Sequence, residues 1–72
     1  MDKKKALKYY KMAGEQGHAE AQYICGLIHY QGEGVERNFE EALSWFQLAA
    51  AQGHQDSQDA VAQLQLEAQT HD

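Results

Sequence analysis

Proline is absent from this chain of 72 residues, cysteine occurs once, and cations are confined almost entirely to one end. With no proline and many Ala, Leu, Gln, Glu and Lys residues, the composition favours an all-helical protein over a strand-rich one. A single cysteine closes no internal disulfide and lacks the partners of a zinc site, so Cys25 is expected to be a small core residue. The net charge is -5, yet Lys3, Lys4, Lys5, Lys8 and Lys11 stand in the first eleven positions and Arg37 is the only basic residue after them. Phosphate backbones need a distributed basic surface, so nucleic acid is not expected as a partner, whereas a basic first helix could meet an acidic one. No apolar run follows the early lysines and no segment approaches a membrane span. These absences predict a cytoplasmic chain with no secretory signal and no membrane partner.

What the chain does have is a repeat. KKALKYYKMAGEQGHAEAQ, starting at Lys4, returns 36 residues later as EEALSWFQLAAAQGHQDSQ, starting at Glu40. Seven of these 19 positions are identical: Ala6/Ala42, Leu7/Leu43, Ala13/Ala49, Gln16/Gln52, Gly17/Gly53, His18/His54 and Gln22/Gln58. Unrelated segments would share about one. Tyr9 becomes Trp45, Tyr10 becomes Phe46, Met12 becomes Leu48 and Glu20 becomes Asp56, so the chemistry is largely kept.

The pattern divides into four helices. The first is expected from about Lys3 to Gln16, capped by Asp2 and stopped by Gly17, with Leu7, Tyr10 and Ala13 on its apolar stripe. A second, from Ala19 to Gln31, places Ala21, Ile24, Cys25 and Ile28 on one face. Gly26 inside it costs about 1 kcal/mol relative to alanine, which close approach of a neighbouring helix would offset. GEGVERN, residues 32–38, breaks the pattern, with Val35 turned inward as an anchor. Asn38 and Glu41 read as a capping box opening a third helix to about Gln52, and Gly53 precedes a fourth from Gln55 to Gln69. Ala60, Val61, Leu64 and Ala68 form its narrower stripe, and its polar remainder suits the last helix of a stacked array.

GEGVERNFEEALSWFQLAAAQGH resembles the signature of Sel-one-like repeats, relatives of the tetratricopeptide repeat with a period near 36 residues. The family's Gly-x-Gly-Val loop corresponds to Gly32, Glu33, Gly34 and Val35, and its cap to Asn38 and Asp2. Its Ala, aromatic pair and Ala-Ala-x-Gln-Gly run correspond to Ala42, Trp45, Phe46, Ala49, Ala50, Gln52 and Gly53. The usual Leu-Gly-x-x-Tyr run reads Cys25, Gly26, Leu27, Ile28 and His29, keeping only the glycine. The resemblance covers residues 2–70: a half repeat over 2–18, a complete one over 19–54 and a C-terminal capping helix over 55–70. It implies four antiparallel helices stacked as a short right-handed α-α solenoid. The opening on a second helix suggests that something covers that helix, either a longer protein from which the chain is cut or another chain.

His18 and His54 share a repeat position, but helix axes about 8 to 10 Å apart do not bring such residues around one ion, so they are expected as turn residues that cap or solvate the next helix. His29 and His71 add no ligand spacing. No nucleophile with a base or paired carboxylate is interpretable, and GEG is too short for a nucleotide loop. Some Cys-rich members of the family carry helix-linking disulfides and are linked to β-lactam binding; Cys25 aligns with Val61, so that inference does not transfer. Tyr9, Tyr10, Trp45 and Phe46 are expected to pack between helices.

The reading is therefore a non-catalytic protein-interaction module of adaptor or scaffold type, with no cofactor and no metal, binding a protein or peptide. Tyr23, Leu27 and Tyr30, off the main apolar face of the second helix, are the candidate partner-binding residues, against the alternative that they complete the core. Two other readings stand beside it. One is a structural cap of a longer solenoid, or a module that self-associates through its first helix. The other is a bacterial immunity or effector-associated protein that blocks a toxin, which an acidic surface opposing a basic target would support.

Overall fold

Four helices follow one another in a computed structural model that describes residues 2–70, with side chains to residue 68: α1 (Lys3–Glu15), α2 (Ala19–Gln31), α3 (Phe39–Ala51) and α4 (Gln55–Thr70). Each packs against the next in the chain, giving a slab of 35 × 27 × 15 Å with no strand among the described residues. The expected bounds hold to within one residue.

Local chemistry accounts for the helix ends. Asp2 accepts from the Lys4 amide at 2.8 Å, and Asn38 accepts from the Glu41 amide at 3.0 Å, so each carboxylate or amide oxygen takes up a donor the helix itself cannot satisfy. The capping box is only half formed. The Asn38 N–H donates to the His29 carbonyl at 3.0 Å, tying α3 to the last turn of α2, so Glu41 has no amide to reach back to. The α1–α2 and α3–α4 turns are built alike: Gly17 and Gly53 take φ of 97° and 88°, and the next amides, of His18 and His54, return to Ala13 and Ala49 at 3.3 and 3.2 Å.

The core lies where α2, α3 and α4 meet. Ala42, Phe46 and Leu64 are its buried centre, with Ala21, Cys25, Ile28, Trp45 and Ala49 also buried. Burying a side chain such as Phe46 contributes about 1.5 to 3 kcal/mol. Gly26 is explained by that ring, since a methyl at Gly26 would be driven into Phe46. Gly14 is similar, an added Cβ lying 2.9 Å from Cζ3 of Trp45. Of the four paired aromatics, Trp45 and Phe46 pack as expected. Tyr9 does not: it is 68% exposed where Trp45 is 7%, and it meets Tyr10 edge to face at 5.3 Å, because no described element lies over that side of α1. Tyr10 and Ala13 are half-buried for the same reason, Leu7 is half-buried as its counterpart Leu43 is, and Ala68 on α4 is exposed.

Candidate partner-binding surface

The identical glutamines form a relay between helices. Gln22, buried, donates from Nε2 to the Gly14 carbonyl at 2.9 Å, and its Oε1 accepts from Nε2 of Gln52 at 3.0 Å. One repeat later Gln58 donates to the Ala50 carbonyl at 3.2 Å. The last turn of each preceding helix thus has a carbonyl satisfied by the first turn of the next, and α3 is linked back to α2. The repeat alignment marks Gln16/Gln52 and Gln22/Gln58 as identical positions; only the fold reveals that one member of each pair, Gln52 and Gln22, bond to each other across the junction.

The turn histidines differ in use. His54 accepts the Ser57 amide at Nδ1 over 3.2 Å and meets the Ser57 hydroxyl at 2.8 Å, so it caps α4, while its Nε2 stands 3.7 Å from Glu20. His18 stands at the head of α2 without a side-chain cap bond. No group of three His, Cys, Asp or Glu residues among those described could hold a metal ion. His71 lies outside the described residues. Cys25 is fully buried, and burial pushes its thiol up to about 11 from 9.0, with Lys11 opposing and Glu15 assisting that shift. A thiol held in this form is a weak nucleophile.

Tyr23, Leu27 and Tyr30 lie along α2, half-buried, and all three lean on the Ala42, Phe46 and Leu64 cluster. Tyr23 stands between two rings, 5.7 Å from Phe46 and 5.0 Å from His54. Tyr30 is differently placed. Its hydroxyl donates to the Glu67 carboxylate, 3.1 Å from both oxygens, and that bond, with a smaller contribution from burial, raises the phenol above its usual range. Its ring stacks on Phe39 at 5.3 Å, and the Arg37 guanidinium lies 4.8 Å from the Phe39 centroid. Cation, ring and ring thus make a short ladder at the head of α3. Beside it is an open depression of about 520 Å³ lined by Arg37, Asn38, Phe39 and Glu40. Arg37 and Phe39 were not singled out from the sequence. The aromatic directly after a helix cap was the available signal, because a ring at a first helical position is not needed to fill a core.

The GEGV loop sets this corner. Gly32 closes α2 at φ 73°, its amide bonded to the Ile28 carbonyl at 2.8 Å, and Gly34, at φ 76°, passes so close to α1 that an added Cβ would stand 3.0 Å from that of Lys3. Val35 is half-buried, and Lys3 and Glu33 approach to 3.8 Å in solvent. No described helix is long and apolar enough to cross a membrane.

Comparison with known families agrees with this architecture. The family model described as Sel1 repeat matches residues 2–18 and 19–54. No curated protein and no solved structure matches the chain. Sel1 repeats are a non-catalytic helical repeat type and generally serve protein interaction. With four stacked helices, a repeating glutamine junction and a family match over most of its length, the chain belongs to the Sel1 repeat family.

Proposed function

We propose that this chain is a non-catalytic adaptor or scaffold module that binds a protein or peptide along α2, through Tyr23, Leu27 and Tyr30, with Phe39 and Arg37 extending the surface at the head of α3. The observation that carries the reading is the Arg37, Phe39 and Tyr30 ladder beside the open depression. Phe39 is 45% exposed, so the ladder does not serve the core alone. A flat ring flanked by a cation offers apolar area and a charge in one place, the composition typical of binding hot spots. Glu67 holds the Tyr30 hydroxyl and so presets the ring, reducing the ordering cost of binding.

The test is quantitative capture from the source cell using wild type, Phe39→Ala and Tyr30→Ala, with thermal melts run in parallel. A partner enriched by wild type and lost at least tenfold by both folded variants is the expected result. Equal recovery by all three, or no protein enriched above a scrambled-surface control, would remove the proposal.

A further inference from the structure

We propose that copies of this chain stack head to tail, α1 of one copy seating on α4 and the end of α3 of the next, in the arrangement by which α3 seats on α2 within the chain. This surface is distinct from the Tyr30 ladder and stands independently of the function proposed above.

Defined contacts hold the internal junction. Gln52 donates to Gln22, His54 approaches Glu20, Phe46 and His54 flank Tyr23, and Trp45 fills the space at Gly14. Shifted by one repeat of 36 residues, each contact falls on one residue of α4, or of the end of α3, and one of α1 or its turn. Gln16 would donate to Gln58 and His18 would meet Asp56, the same chemistry at both positions. Tyr9, a smaller ring than Trp45, would pack against the Ala50 methyl that stands in place of Gly14. The aromatic pair Tyr23 and Phe46 becomes Asp59 and Tyr10, in which a phenol hydroxyl faces a carboxylate, so the two substitutions compensate each other.

The groups this arrangement would use are open. Gln58 donates to Ala50, but no described group bonds its side-chain oxygen. Gln16 and His18 are exposed, and His18 makes no side-chain cap bond, whereas its counterpart His54 has both Ser57 and Glu20. Tyr9 is exposed where Trp45 is covered. Charge points the same way: α1 carries five lysines against Glu15, while α4 carries Asp56, Asp59 and Glu67 and no cation. Unlike ends attract, and like ends repel, which disfavours a symmetric pairing of α1 with α1.

Two features set the strength. Ala62 stands where Gly26 admits Phe46, so the Tyr10 ring must sit farther out than Phe46 does. Asp59 and Gln63 replace Tyr23 and Leu27, which are half-buried and whose inner edges lean on the Ala42, Phe46 and Leu64 cluster. The junction between copies is therefore weaker than the internal one. Because the two surfaces differ, the contact is heterologous and the stacks are open-ended.

Sedimentation velocity from ~10 µM to ~1 mM, spanning weak association, tests this with two blocked forms of the same chain. The head-blocked form carries Gln16→Glu and His18→Glu, exposed positions that would then oppose Asp56. The tail-blocked form carries Ala62→Trp, exposed and bulky where the internal junction refuses a methyl. Circular dichroism confirms that both fold. Wild type is expected to grow with concentration and less so at high salt, each blocked form to stay monomeric, and their mixture to stop at a one-to-one dimer. A monomeric wild type throughout, self-association of either blocked form at the wild-type level, or a mixture that stays monomeric would each overturn the proposal.

Discussion

Gly26 and Gln22 carry more of this fold than their size suggests, and each makes a sharp prediction. Gly26→Ala improves helix propensity by about 1 kcal/mol. The added methyl nevertheless meets the buried Phe46 ring, and overpacking costs about 1 to 3 kcal/mol. A urea titration is expected to find the variant less stable than wild type, against the ranking by propensity. Gln22→Ala removes a donor to Gly14 and an acceptor from Gln52, so it should cost about 1 to 3 kcal/mol, and adding Gln52→Ala should cost less than it does in the wild-type background. Cys25 supplies a pH dependence. Its thiol ionises at 9.0 when exposed and at about 11 when folded, so its contribution is complete below 9.0 and is lost as pH rises toward 11. Urea midpoints should therefore fall over that window more steeply in wild type than in Cys25→Ala, and labelling of the thiol near neutrality should require unfolding.

At the scale of the element, helix starts were legible because capping depends on residues adjacent in sequence. Asp2 and Asn38 cap as their side chains dictate. The reciprocal half of the Asn38 box was not legible, because the competitor for that amide, the His29 carbonyl, arrives from another helix. Asn38→Ala is accordingly expected to cost about 1 kcal/mol, while Glu41→Ala should change the urea midpoint by far less than a full capping box would require. The apolar stripes of α2 and α4 were read correctly in outline, since periodicity reports which face is covered. It does not report by how much, which depends on what stands opposite: Tyr9 and Trp45 occupy equivalent positions and have opposite environments. Ser57, fully buried beside His54, escaped notice because a serine carries no apolar signal.

For the whole molecule, stacking is the organising fact, and a chain of this size has little stability in reserve. Phe46→Ala, which typically costs about 3 to 5 kcal/mol, is expected to abolish the cooperative melt. Family membership was legible from the spacing of glycines, alanines and the aromatic pair, because those residues are set by helix contacts common to every repeat. The partner surface was legible only in part. Tyr30 stands off the main apolar stripe of α2, but the ladder with Arg37 and Phe39 forms only when the α2–α3 loop folds back, a long-range event that no local pattern encodes. The central claim, recognition along α2 and the head of α3, is tested most directly by mapping backbone amide shifts of labelled chain as a captured partner is added. The account predicts perturbations centred on residues 23, 27, 30, 37 and 39. Shifts confined to the exposed residues Met12 and Leu48, or none at saturating partner, would contradict it.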